Sequence, residues 1–384
     1  MEGGSQQPIC LDHLGASPVL DTSTQNMVQW HSERFADPSS AQAAAEAPST
    51  ALQEARAAVA EAIGAKRPAE ICFTSGPEES NNWALKGSCW ARQKFGKHLV
   101  ISATEHLSII NAARWMQKQG WRVSFISVDA TGQLDLENLA QETCPETVLC
   151  SIHLSNHETG AVQNLPAIAD IVRRNSPKAL LHSDASAGLG RVEINVVDSE
   201  FDLLTISSNE IGGPRGCGAL WVRSGRRIES LLHGGAQESG RRAGRQDIAG
   251  IVGFGRALNQ VIPNLDNSID RMNRLTKLLE KSLSNWSILS PPDNAAGILN
   301  VAFAPLGGEP LLIELDRLGV QVAASSGCTT KTLGPSHVLT AMGIDEPTAL
   351  SALRFSLAPN TTEQEINRAI EIINHAVASL QTLT

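Results

Sequence analysis

HLVISATEHLSIINAARWMQKQGWRVSFISV, residues 98–128, decides the fold. Residues 98–103 are an apolar run of strand length, 107–119 carry helical spacing, and 121–128 return to strand composition. A strand, a helix and a strand joined this closely form a unit of a mostly parallel sheet.

The same alternation extends on both sides. Upstream, the alanine-rich residues 41–64 read as an amphipathic helix, in one piece or as two separated near Pro48. EICFT (70–74) is a short strand running into SGPEES (75–80), from which a helix proceeds to about Lys94. Downstream come the strand ETVLCSIHL (146–154), the helix PAIADIVRR (166–174), and the strands KALLHSDA (178–185), LLTISS (203–208) and GCGALWVR (216–223). This is an α/β domain, with its functional loops expected beyond the carboxyl ends of the strands. The character changes near 257–268. A long helix over about 267–284 leads to AGILNVAFA (296–304), a helix at 309–317, a short strand near 321–326, ALRFSLA (352–358) and a last helix over 362–380. Thr361 or Thr362 with Glu365 offers that helix a capping box. The expected division is a large α/β domain over 15–258 and a smaller α+β unit built from 1–14 and 259–384.

Composition narrows the chemistry. The 384 residues carry a formal net charge of −9, which disfavours general nucleic-acid binding, because phosphate neutralisation needs a basic surface. There is no tyrosine, so no site here uses a phenol. The seven cysteines are widely spaced and form no CxxC pair, so a cysteine-ligated metal is not expected. No apolar run approaches membrane-spanning length, and MEGGSQQPIC carries no basic region followed by an apolar stretch. A soluble, reducing, cytoplasmic setting is expected.

Several loops carry a family likeness: LDHLGASP (11–18), FADPSS (35–40), FTSGPEESNN (73–82), TEH (104–106), NHETGAVQ (156–163), HSDASAGLG (182–190), GGAQESGRRAG (234–244), CTTKTLGPSHVLTAMG (328–343) and RFSL (354–357). In this order they resemble the cysteine desulfurases of the NifS-like group. These lie within the class V aminotransferase family and share the type I fold of pyridoxal-phosphate enzymes. The resemblance implies a homodimer, a cofactor held on the large domain by a lysine imine, and a persulfide formed on a cysteine loop of the small domain.

By that resemblance Asp184 matches the partner of the pyridine nitrogen, His106 the histidine stacked on the ring, and Arg354 the grip on the substrate carboxylate. Ser207 falls in the same ancestral cofactor site, and Cys328 matches the persulfide cysteine. Other positions depart from the pattern. In SSNEIGGPRG (207–216) the histidine–lysine pair is replaced by Asn209 and Glu210, and a carboxylate forms no imine. The phosphate-binding threonine becomes Glu78, and Pro77 removes a backbone N–H from the helix start. Ser75, Pro77 and Glu78 read as a capping box. A ring-contacting asparagine becomes His157, a glutamine becomes Ala187, and a threonine contributed across the dimer becomes Arg245, free to pair with Glu78 or Glu210.

These replacements lead to an expectation of a desulfurase-like protein without conventional pyridoxal-phosphate catalysis. It would act in sulfur transfer, or as a partner or regulator of a sulfur-handling enzyme. Two alternatives stand beside it: an enzyme with a repurposed His/Asp/Glu pocket acting on cysteine or a related small molecule, and a structural assembly protein. No cofactor is expected, with non-covalent pyridoxal phosphate as the alternative. The expected partner is a second copy of the chain, or in a heterodimer an active desulfurase-like paralogue or a sulfur acceptor protein. Cys328 would carry persulfide, with Lys331 near enough to favour its thiolate. Arg354 alternatively bridges to one of the new glutamates. The other cysteines read as small apolar side chains.

Overall fold

The computed structural model describes residues 8–325 and 334–382. Its larger sheet has seven strands: β2 (Ile71–Thr74), β3 (His98–Ser102), β4 (Arg122–Ile126), β5 (Thr147–Ser151), β6 (Leu180–Asp184), β7 (Leu203–Ser207) and β8 (Gly218–Val222). Their spatial order is β2-β8-β7-β6-β5-β3-β4. Neighbours from β7 to β4 run parallel, whereas β8 is antiparallel to both β7 and β2. Every residue of β3, β5, β6 and β7 is buried. Continuous burial is what a parallel sheet covered on both faces demands.

The two faces are covered by different helices. On one, α3 (Pro77–Arg92) and α4 (Leu107–Lys118) bring Trp83, Leu85, Ile109 and Met116 onto Leu99, Leu149 and Leu220. On the other, α2 (Glu46–Ala62) and α7 (Ile248–Val261) bring Val59 and Phe254 onto Phe73, Ile206 and Trp221. α1 (Asp21–Ser32) lies along α7, and α5 (Leu136–Glu142) and α6 (Leu165–Asn175) pack together beside the β4 end of the sheet.

A smaller antiparallel sheet has the order β12 (Ala323–Ala324), β13 (Ala352–Ser356), β10 (Ile298–Ala302), β9 (Ser287–Ile288). Beside it, β1 (Ile9–Cys10) pairs in parallel with β11 (Val320–Gln321). The helices α8 (Leu265–Ser282), α9 (Gly308–Arg317) and α12 (Glu363–Gln381) close its core around Leu275, Leu315, Phe355 and Ile373. Two short helices, α10 (His337–Ala341) and α11 (Glu346–Leu350), precede β13.

Local chemistry explains where reading by pattern falls short. α2 is one continuous helix, because Pro48 sits in its first turn, where backbone N–H groups have no intrahelical acceptor. α7 escapes the pattern because three glycines dilute its helix propensity. One of them is needed for packing: a Cβ on Gly255 would stand 3.0 Å from the Ala55 Cα of α2. α1 is polar in sequence and buries only Ser23 and Trp30, so it too has little periodicity. The capping box of α12 forms on Thr362, whose hydroxyl accepts from the Glu365 N–H while the Glu365 carboxylate accepts from the Thr362 N–H. Among the described residues, no helix is long and apolar enough to cross a membrane.

Candidate active site

The carboxyl ends of β3, β5, β6 and β7 deliver Ser102, Ser151, Asp184 and Ser207 to one edge of the large sheet. A groove of about 680 Å³ opens there between α3, α4 and the N-terminal segment, with His106, Glu78 and Arg354 in its lining.

Asp184 closes β6 and is followed by the helical turn Ser186–Gly188, which carries Ala187. Its carboxylate accepts hydrogen bonds from Asn81 Nδ2 at 2.7 Å and from the Ser186 N–H at 2.9 Å. The Asn81 amide also donates to Ser108 Oγ at 2.9 Å, and Ser108 Oγ lies 2.9 Å from His106 Nδ1. The Ser108 N–H donates to the same Nδ1, because His106 is the N-cap of α4. A nitrogen that accepts a backbone N–H carries no proton, so this network assigns the His106 proton to Nε2. Asp184 and His106 are therefore joined through Asn81 and Ser108, neither of which sequence reading singled out.

His157 stands edge-on to His106, ring centroids 5.1 Å apart at 77°, and 6.4 Å from His337. Burial, followed by the nearby His106, His337 and Arg354, pushes its proton affinity well below the ordinary imidazole value. Two buried carboxyls adjoin these histidines in the chain, Glu105 beside His106 and Glu158 beside His157. Glu105 accepts from the His153 N–H at 2.6 Å while its Oε2 has no partner, and burial raises its proton affinity. Glu158 accepts from the Ser336 hydroxyl at 2.6 Å, and burial pushes it up to about 7. No group of three or more His, Cys, Asp or Glu among the described residues is arranged to hold a metal ion.

Arg354 sits on β13 at the groove. It bridges to neither new glutamate. Its NH2 donates to Asp12 Oδ1 at 2.6 Å and its NH1 to the His157 carbonyl at 2.9 Å, leaving the buried Nε without a partner. Asp12 reaches it because β1 docks the N-terminal segment beside the small sheet. Arg245 also lies elsewhere than expected: it is exposed and pairs with Asp37 at 3.3 Å, not with Glu78 or Glu210.

The start of α3 corrects the expected capping box. The N-cap is Gly76, with φ +140°, a conformation open to glycine. Ser75 caps nothing. Glu79 is the residue that turns back: its carboxylate accepts from the Ser75 N–H at 2.8 Å and forms a two-pronged pair with Arg242 at 2.8 and 2.9 Å. Glu78 faces the groove instead. At the groove stands an amine that sequence proximity hid, Lys86, whose ammonium lies 4.8 Å from the Trp115 ring centroid.

Asn209 and Glu210 occupy a helical turn that Ser208 separates from Ser207 at the end of β7. Glu210 Oε2 and Asn209 Oδ1 are buried without partners. Burial pushes Glu210 up to about 7, opposed by a hydrogen bond with Ser207. Its neighbours Ile211 and Gly212 help it line a separate cavity of about 610 Å³ with His13 and Arg271. The persulfide candidate Cys328 and its neighbour Lys331 lie outside the described residues.

Residues 9–369 match the family Aminotransferase class-V. The chain is 36% identical to cysteine desulfurase IscS 1 of Archaeoglobus fulgidus, covering 97% of this chain and 98% of the relative. It is also 36% identical to the mitochondrial cysteine desulfurase of Saccharomyces cerevisiae, over 100% of this chain and 77% of that one. The chain belongs to the IscS/NifS cysteine desulfurase family. Among solved structures, a NifS-like protein superposes with a TM-score of 0.92 at 29% identity, covering 97% of this chain and 100% of the other. A second, the NifS-like protein of Rickettsia africae, gives 0.86 at 28%, covering 97% and 100%. The fold is that of the type I pyridoxal-phosphate transferases.

These full-length relationships overturn the expectation of a non-canonical desulfurase-like protein without conventional pyridoxal-phosphate catalysis, acting in sulfur transfer or as a partner or regulator, together with its repurposed-pocket and assembly alternatives. That expectation gave a few pocket replacements more weight than agreement along the entire chain. The replacements still bear on cofactor fit. A buried carboxyl, which forms no imine, stands at position 210, and the N-terminus of α3 already holds Glu79. The residues present do not fit a cofactor anchored by an imine at position 210, and no step is assigned through one.

Proposed function

We propose that this chain is a desulfurase-type enzyme that takes cysteine as its substrate, with an active site that departs from its family at position 210. The full-length relationship to cysteine desulfurases carries this reading. Arg354 supports it: a guanidinium fixed by Asp12 at a groove, with a buried N–H still unpaired, suits a carboxylate. The hydrogen-bonded chain from Asp184 to His106 holds an imidazole in one tautomer at the same groove. Cys328 carries the sulfur in this reading, and the working form is a cytoplasmic dimer.

Turnover tests it. The purified protein is incubated with L-cysteine and a reductant, with and without pyridoxal phosphate in solution, and sulfide and alanine are measured. Saturable release of both is expected, lost in Cys328→Ser and with a raised KM in Arg354→Lys. Absence of both products under every condition, while a desulfurase bearing the family lysine turns over alongside, overturns the proposal.

A further inference from the structure

Arg191 is a buried guanidinium that the groove chemistry leaves unused. It follows the helical turn Ser186–Gly188, and its N–H donates to the Gly188 carbonyl at 2.9 Å, so it is tied to the turn after Asp184. Its side chain crosses from the large sheet to the small one. NH1 donates to the Ala296 carbonyl at 2.7 Å and NH2 to the Leu357 carbonyl at 2.6 Å. Ala296 leads into β10, and Leu357 directly follows β13. The Leu357 N–H in turn donates to the Gly297 carbonyl at 2.8 Å, and β10 pairs with β13 so that Asn300 stands opposite Arg354. One guanidinium therefore grips both strands at one end, and one of those strands carries Arg354.

The surroundings are shaped to this contact. Gly297 has φ +77°, a conformation that favours glycine, and a Cβ there would stand 2.8 Å from Arg191 NH1. Close by, cavities of about 580 and 610 Å³ lie between residues of the two sheets, the first between Val192 and Asn273 and the second between Ile211 and Ala358. Side-chain packing is interrupted at both, and the guanidinium supplies a join that packing does not. Burial lowers the Arg191 proton affinity to about 10, opposed by Glu210, so the side chain is cationic at neutral pH. Its oxygen acceptors among the described residues are main-chain carbonyls, not carboxylates. A buried cation held this way is costly, and a side chain that merely filled space would be apolar.

We propose that Arg191 is a positioning residue: it locks the small sheet to the turn after Asp184 and so fixes where Arg354 stands at the groove. The functional half of this inference rests on the reading of Arg354 as the carboxylate contact. Arg191 itself acts at a distance, through the main chain at the end of β13. A guanidinium suits the task because its planar fork donates to two carbonyls at once, which an ammonium on a single stem does not reproduce.

Two variants disturb the contact from opposite sides. Arg191→Lys keeps the charge and loses the fork, and Gly297→Ala crowds the guanidinium from the small sheet; circular dichroism checks that each folds. Hydrogen exchange needs no substrate. In both variants β10 and β13 should exchange at least about fivefold faster, with β3 and β5 unchanged. Exchange in β10 and β13 that matches the wild type in both variants overturns the proposal. Calorimetric binding of L-cysteine then reads the position of Arg354. Arg191→Lys should weaken it about five- to tenfold, with kcat held within about twofold. In an Arg354→Lys background the same substitution should change binding less than about twofold, because both residues act through one contact. Equal losses in the two backgrounds overturn the positioning role and leave Arg191 a structural residue. If the wild type neither binds nor turns over cysteine, the desulfurase reading fails, and the exchange result still decides whether Arg191 holds the strand that carries Arg354.

Discussion

The Ser336 hydroxyl donates to the buried Glu158 carboxylate at 2.6 Å, and Glu158 thereby ties down the residue that caps α10. Ser336 Oγ also accepts from the N–H groups of Val338 and Leu339. On the other side of residues 326–333, Ser325 is held by Asn300, whose amide donates to the Glu158 carbonyl. Both flanks of the Cys328 segment therefore converge on one residue. Ser336→Ala removes a cap and leaves a buried carboxyl without its donor, a loss of about 1–3 kcal/mol. Hydrogen exchange over residues 334–342 should accelerate in this variant while exchange in β5 and β6 stays unchanged. Equal protection in the two proteins would refute the anchoring role.

Glu210 makes a prediction about pH. Its folded value is raised from 4.5 to about 7. A carboxyl that holds its proton more tightly when folded favours folding while protonated in the native state, and that contribution is lost as pH rises from 4.5 to about 7, because the unfolded state has already ionised. Glu210→Gln cannot ionise. Its stability relative to wild type should rise across this window and level off above it, with a gain on the order of 1–3 kcal/mol. Denaturant unfolding at several pH values measures this; a difference independent of pH would contradict it.

The fold was legible because alternating strands and helices leave a local imprint, and residues 98–128 carry it whole. Asp184, His106 and Arg354 were singled out because each lies in a short recognisable stretch of sequence. Their partners were not. Asp12 meets Arg354 only after β1 docks beside the small sheet, and Asn81 meets Asp184 only after α3 is laid over β6. Glu79 and Glu78 are adjacent acids at one helix start, and which of them turns back depends on the position of Arg242 in a loop far along the chain.

Asn81 links Asp184 to His106, and its removal has a spectroscopic signature. In Asn81→Ala, Ser108 loses a donor and Asp184 one of its two hydrogen bonds. The Ser108 hydroxyl is then free to turn away from His106 Nδ1, and the two ring tautomers should become mixed. Nitrogen-detected NMR of labelled histidine resolves Nδ1 from Nε2. In the wild type His106 should show its proton on Nε2; in Asn81→Ala intermediate shifts are expected. An unchanged His106 signature would show that the backbone N–H of Ser108 fixes the ring without help from Asn81.

Asp12 holds the Arg354 fork by a charge-assisted hydrogen bond at 2.6 Å, so it should act on substrate through Arg354. Asp12→Asn keeps the size of the side chain and removes its charge. The guanidinium then loses its fixed orientation but stays at the groove, held by the His157 carbonyl at 2.9 Å. Binding of a cysteine carboxylate should weaken by about five- to tenfold, which corresponds to about 1–1.4 kcal/mol. A positioning role predicts that the change falls on KM, or on the dissociation constant for cysteine, and leaves kcat within about twofold. Arg354→Lys should cost more, because an ammonium cannot reproduce the two-pronged geometry. If Asp12→Asn instead lowers kcat and leaves KM unmoved, Asp12 acts on the reacting atoms and not on the orientation of Arg354.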